Sequence, residues 1–219
     1  MHEIVVLGAG YAGLAAAISL AGRTRNKDVH LTLVNASDRF TERLRLHQVA
    51  SGQQLADLRI PDLLDGTGID LVRGWVTGLD TTARTVRIDD ERELPYDTLV
   101  YALGAVADTD TVPGAADHAD TLDSLDSATV LATRLENATR LENAAGVVVC
   151  GTGLTGVELA AEIAETYPSL RVTLLGRAEP GATLGTTARA YLRKSLERRG
   201  VRIRTGVITS VHPQAVHLE

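Results

Sequence analysis

The chain has 219 residues, 44% of them hydrophobic and only 3% aromatic, with a formal net charge of -6, a length and balance that suit one large or two small α/β domains. Acidic balance and scarce aromatics exclude a nucleic-acid partner held by general charge or by base stacking, and no apolar run approaches the ~20 residues that span a bilayer, so no transmembrane segment is expected. The single Cys excludes an internal disulfide or a Cys-x-x-Cys pair, and Met1-His2-Glu3 leads straight into an apolar strand with no room for a signal peptide, which together predict a soluble cytoplasmic protein.

The first element is Ile4-Val5-Val6-Leu7, an apolar run too short for a helix and suited to a strand buried on both faces. It breaks into Gly8-Ala9-Gly10-Tyr11-Ala12-Gly13 and resumes as a helix-forming run over 11–23. In this Gly-x-Gly-x-x-Gly pattern Gly8 permits the turn, Gly10 lets a pyrophosphate approach the backbone, and Gly13 lets helix and strand pack closely. The free N–H groups at the helix start would face the phosphates. A second parallel strand follows over 29–34. Next comes Asn35, where dinucleotide folds place an acid for the adenosine ribose. Asn35 either hydrogen-bonds a ribose hydroxyl or serves the turn ahead of Ala36-Ser37-Asp38.

Leu44, His47, Gln48 and Ser51 fall at helical spacing, with Gly52 as the C-terminal cap, and Arg43, Arg45 and His47 read as a solvated helix face without a metal partner at ligand spacing. Residues 55–64, interrupted by Pro61, read as a loop or broken helix. From Ile69 the period changes to two, and residues 69–97 predict a small antiparallel meander on one face of the parallel sheet. The apolar run 98–105 returns to the buried sheet and ends in Ala102-Leu103-Gly104, where a ligand could approach the backbone. Residues 106–122 carry no periodicity and read as a linker. A helix is expected over 124–143, in which residues 133–138 repeat as 139–144; two copies make no solenoid.

The glycine pattern then recurs as Gly151-Thr152-Gly153-Leu154-Thr155-Gly156, after the strand run Gly146-Val147-Val148-Val149-Cys150 and before an apolar helix. Cys150 is expected in the core as a small hydrophobe. Glu158 and Glu162 lie one helical turn apart on one face, and patterning leaves open whether Glu158 faces solvent or a ligand. The strand over 171–175 leads to Gly176-Arg177. An absent acid beside an Arg is the pattern that accommodates a ribose 2′-phosphate, unless Glu179 folds back to the ribose. Thr186 or Thr187 is expected to cap a last helix with Leu192 and Leu196 on its apolar stripe and Gly200 at its end, followed by short strands.

Taken jointly, the two glycine loops, the meander after the first, Tyr96-Asp97-Thr98-Leu99-Val100-Tyr101-Ala102-Leu103-Gly104 between them, Leu46-His47-Gln48-Val49-Ala50-Ser51-Gly52 and Gly156-Val157-Glu158-Leu159-Ala160-Ala161-Glu162 resemble the two-dinucleotide-binding-domain flavoproteins. Within that group the chain is most similar to type II NADH dehydrogenases and apoptosis-inducing-factor-like reductases. The resemblance implies an α/β fold of two Rossmann-like units, each with a parallel sheet, and a small antiparallel meander. An FAD domain would span 1–110 and a nicotinamide-nucleotide domain 111–219.

It further implies Gly8, Ala9, Gly10, Tyr11, Ala12 and Gly13 at the FAD pyrophosphate, Asn35 at its ribose and Val76 near its adenine. Gln48 and Ala102, Leu103 and Gly104 would lie near the flavin, and Arg43 counts among the cofactor-binding residues. Gly151, Gly153, Leu154, Thr155, Gly156 and Arg177 would hold NADPH or NADH, with Glu158 orienting the carboxamide as the catalytic residue; no metal is implied. The implied activity is FAD-dependent NAD(P)H oxidation with a small-molecule electron acceptor such as a quinone, in the cytoplasm or peripheral at the membrane. The absent cysteine pair excludes disulfide reduction. Because such proteins continue past residue 219, the sequence also reads as incomplete, to be finished by a complementing chain or by homo-oligomer formation. A non-catalytic nucleotide- or partner-binding module is the alternative.

Overall fold

The computed structural model describes residues 1–140 and 146–219. Two compact units divide these residues: Met1–Glu42 with Ala56–Ala105, and Arg43–Leu55 with Val106–Glu219.

In the first unit, β1 (His2–Leu7) lies between β2 (Val29–Asn35) and β7 (Thr98–Tyr101), with β3 (Asp70–Arg73) outside β2, all parallel. Side chains alternate across a strand, and this explains why β1 is apolar at every position from Ile4 to Leu7. Ile4 and Val6 pack with Leu14 and Ala17 of helix α1 (Tyr11–Thr24), while Val5 and Leu7 pack on the other face with Val86 and Ile88. Those two belong to an antiparallel meander of β4 (Val76–Asp80), β5 (Thr85–Ile88) and β6 (Arg92–Pro95). Three of the sequence expectations change here. The first part of the period-two run, β3, joins the parallel sheet rather than the meander. Pro61 sits in the first turn of a short helix, α3 (Ile60–Leu64), where its missing N–H costs nothing. β7 is an edge strand with Tyr101 66% exposed, so its apolar run is only half covered.

In the second unit, three parallel strands run in the order β10-β9-β8: β8 (Gly146–Cys150), β9 (Arg171–Gly176) and β10 (Arg202–Thr205). Helices α5 (Leu125–Ala138), α6 (Leu154–Thr166) and α7 (Thr186–Arg198) share a core with them through Leu135, Val157, Ile163, Leu174 and Leu196. Ser124 and Ser127 close a reciprocal capping box on α5. The helix expected over 124–143 and the second copy of its repeat run into residues 141–145, which lie outside the described residues. The N-cap of α7 is Gly185, not Thr186 or Thr187, and no side chain caps it. Residues 106–122 hold a short helix, α4 (Ala115–His118), and Pro113 accepts from Val211 N–H of the hairpin formed by β11 (Ile208–His212) and β12 (Ala215–Leu218).

Cys150 is exposed, against the expectation of a core residue. β8 is the edge of its sheet; Val149 turns into the core, whereas Gly146, Val148 and Cys150 alternate onto the other, exposed face. The surrounding chain still crowds the thiol enough for desolvation to push its pKa up.

Candidate functional site

In the first unit the site is the junction of β1 and α1. Gly8 adopts φ +92, and a Cβ there would sit 2.4 Å from the Ala102 carbonyl oxygen. At Gly13 a Cβ would fall 1.8 Å from the Gly8 carbonyl oxygen, so helix and strand meet closely only because no side chain intervenes. Gly10, the N-cap of α1, differs from both, since nothing lies within 4 Å of its Cβ position. That open space lies beside backbone N–H groups at a helix start that no side chain caps and whose first turn holds no acidic residue. Such a cradle fits the phosphates of a dinucleotide. Tyr11 and Ala12 are exposed beside it, and Ala9 is buried beneath.

Asn35 closes the loop from the end of β2. Its Oδ1 accepts from Ala9 N–H at 3.0 Å and its Nδ2 donates to the Ser37 carbonyl at 2.8 Å, which leaves one lone pair and one N–H free. The two sequence readings of Asn35 are therefore compatible. Ala102 donates its N–H to the Leu7 carbonyl, and the Ala102–Leu103 backbone approaches Gly8, so the segment after β7 lies beside the glycine loop. Gly104 takes φ +77. Val76 is partly buried against the cluster of Val5, Leu7 and Val34 on the meander side of the sheet.

The second unit repeats the build. Gly153 caps α6 without a side-chain partner, space is open at both Gly151 and Gly153, and a Cβ at Gly156 would fall 1.9 Å from the Gly151 carbonyl oxygen. Leu154 and Thr155 are exposed at the helix start. Arg177 follows β9 in an exposed position. Glu179 does not fold back: Arg193 Nη1 holds its carboxylate at 2.7 and 2.6 Å.

Arg43 and Gln48 belong to this second unit, on a 3₁₀ turn (Arg43–Arg45) and on α2 (Leu46–Ala50). Arg43 is exposed, and Gln48 Oε1 accepts from Arg45 Nε at 2.9 Å. Leu44 is 71% exposed, so the buried stripe of this segment is Leu46, Val49 and Ala50 instead. His47 Nδ1 lies 3.8 Å from Glu158 Oε2, and Gln53 hydrogen-bonds Glu162 one turn further along α6. Glu158 itself is half exposed. Sequence reasoning missed the His47–Glu158 approach, since nothing local to either residue signals it. It also missed Thr152, whose hydroxyl donates to the Ala178 carbonyl at 2.8 Å. Superposing the two glycine loops residue by residue would have singled out Thr152, because Ala9 stands in its place.

Among the described residues no group of three or more His, Cys, Asp or Glu could hold a metal ion, and no helix is long and apolar enough to cross a membrane.

Known proteins resemble this chain in sequence and in fold. The chain is 33% identical, across its whole length, to an NADH dehydrogenase-like protein of Mycobacterium tuberculosis, of which it spans 59%. It is 29% identical over 77% of its length to a type II NADH:quinone oxidoreductase of Staphylococcus aureus, of which the match covers 44%. The structure of NDH2 from Plasmodium falciparum in complex with NADH superposes with a TM-score of 0.83 at 19% identity, over all of this chain and 51% of that one. The chain thus spans little more than half the length of these proteins. The family described as pyridine nucleotide-disulphide oxidoreductase matches residues 2–216. Both glycine loops lie inside that match, and the chain belongs to the pyridine nucleotide-disulphide oxidoreductase family, although its single Cys forms no internal disulfide.

Proposed function

We propose that this chain carries the cofactor-binding units of an FAD-dependent NAD(P)H oxidoreductase, with FAD on the loop 8–13 and a nicotinamide nucleotide on the loop 151–156. The observation that carries the reading is the repetition of one build. In each unit a glycine at the helix N-cap faces open space, while the last glycine of the motif is pinned against the strand end.

When bound, the two cofactors supply hydride transfer from nicotinamide to flavin and its onward delivery to an acceptor. The chain's own part is to bind and orient. The N–H groups at the starts of α1 and α6 hold phosphates, and Asn35 offers its remaining lone pair and N–H to a ribose. Glu158 would orient the carboxamide, with His47 Nδ1 3.8 Å from its carboxylate. The Ala102–Gly104 segment is assigned to the flavin, and Val76 to the adenine. A quinone is the proposed acceptor, on the likeness to the staphylococcal protein; this would bring the molecule to a membrane surface as a peripheral protein.

At Gly176-Arg177 the chain offers no acid for a ribose diol, and Glu179 is engaged by Arg193, so NADPH is the proposed donor although the relatives are named for NADH. The test uses the full-length protein. It should be yellow when purified, bleach on anaerobic NADPH addition, and lose flavin as Gly10→Val, whose side chain would fill the phosphate space. A fully flavinated Gly10→Val protein would contradict the placement of FAD.

A further inference from the structure

The two loops are built alike but exchange one pair of side chains. Gly8 N–H donates to the Val34 carbonyl in the first unit and Gly151 N–H to the Leu175 carbonyl in the second, so Ala9 corresponds to Thr152 and Asn35 to Gly176. In the first unit a small loop residue faces a strand-end side chain. In the second the loop residue carries the side chain and the strand end has none. A Cβ on Gly176 would lie 2.8 Å from Thr152 Oγ1, 2.9 Å from its Cγ2 and 3.1 Å from its backbone nitrogen. Gly176 does not take a left-handed φ, so the backbone does not ask for glycine there; space does. Thr152 Oγ1 also donates to the Ala178 carbonyl, fixing the turn on the far side of exposed Arg177.

We propose that Thr152 is the selectivity determinant of the second nucleotide site: it bars a side chain, and with it an acid, from position 176, and it holds the turn from which Arg177 reaches a ribose 2′-phosphate. This rests on the reading of loop 151–156 as a nicotinamide-nucleotide site. An acid at the strand end accepts the ribose hydroxyls and repels a phosphate, whereas a nearby Arg accommodates one. Because Thr152 and the Gly176 Cβ position claim the same volume, the two positions must change together for the preference to reverse.

The test compares Gly176→Asp, Thr152→Ala and the double variant in the full-length protein, reading Tm and the dissociation constants of NADPH and NADH. The double variant copies the arrangement of Ala9 and Asn35. Gly176→Asp alone should lower Tm and weaken both nucleotides. Adding Thr152→Ala should restore Tm and move the NADPH-to-NADH ratio toward NADH by about tenfold or more, the size of one charge-assisted hydrogen bond. Thr152→Ala alone should weaken NADPH and spare NADH. Gly176→Asp with parental Tm and a preference for NADH, or a double variant no better than the single, overturns the inference while leaving the nicotinamide site standing. If the unmutated protein binds neither nucleotide, the site assignment fails and the selectivity role with it, whatever Tm does.

Discussion

His30 bridges two carboxylates, with Nδ1 2.6 Å from Glu3 Oε2 and Nε2 2.9 Å from Asp70 Oδ2. Only the charged ring donates from both nitrogens at once. Its pKa is raised, first by the hydrogen bond to Asp70 and then by that to Glu3. The folded state thus binds this proton more tightly than the unfolded chain. The contribution is fully present below the ordinary histidine value of about 6.5 and is lost as pH rises through the higher folded value. For a partly exposed cluster it amounts to at most about 1 kcal/mol. Urea unfolding should show His30→Gln less stable than the parent at about pH 5.5 and equal to it at about pH 9. A gap that widened at high pH would mean that the ring stabilises the fold in its neutral form. Arg177 makes the second residue-scale case. Its contact with a 2′-phosphate would contribute about 1.5–3 kcal/mol if desolvated, and less at so exposed a position. Arg177→Ala should narrow a preference for NADPH measured by calorimetry, and equal affinities in the parent would remove the premise.

At the scale of elements, each glycine loop joins a strand to a helix through one contact that tolerates no Cβ. Gly13→Ala should force α1 away from β1 at a cost of about 1–3 kcal/mol, the usual range for overpacking. Gly156→Ala should do the same to α6 and β8. Calorimetry and flavin content separate the two: the first variant should lose flavin, and the second should retain it while losing nicotinamide nucleotide. Retained flavin in Gly13→Ala would mean that the helix start accommodates the methyl group.

These contacts are also why the loops were legible in sequence. The spacing of the glycines is dictated by backbone geometry, which does not depend on the rest of the chain. The alternation that sends Ile4 and Val6 to α1 and Val5 and Leu7 to the meander was legible for the same reason. What depended on distant partners was not. Cys150 and Val148 carry the composition of a buried strand yet lie on the exposed face of an edge strand. Asn35 and Gly176 hold equivalent places, and their difference makes sense only beside Ala9 and Thr152, which lie more than twenty residues earlier. The helical spacing over 44–51 pointed to Leu44, and neither the buried face of Leu46 and Val49 nor the unit that buries it could be read from it.

That last point shapes the whole molecule. Residues 43–55 leave the first unit between β2 and β3, pack into the second, and return. Leu46 is fully buried there in a cluster with Val49 and Ala128, against which Leu55, Leu122 and Leu125 also pack. Leu46→Ala should therefore cost about 2–5 kcal/mol. Hydrogen exchange should register that loss in α5 and α6 and leave β1 and β2 protected; loss of protection in β1 would show the strap stabilising the unit it comes from.

The chain thus crosses from one unit to the other three times, so their boundary is a place in space with no counterpart in the gene. A recombination event at codon 105 would hand the first unit a greasy helix with nowhere to go and leave the second with a hole lined by leucines. Shuffling such units between relatives would work only if the thirteen-residue excursion travelled with its host, which binds the ancestry of the two halves together more tightly than their separate folds require.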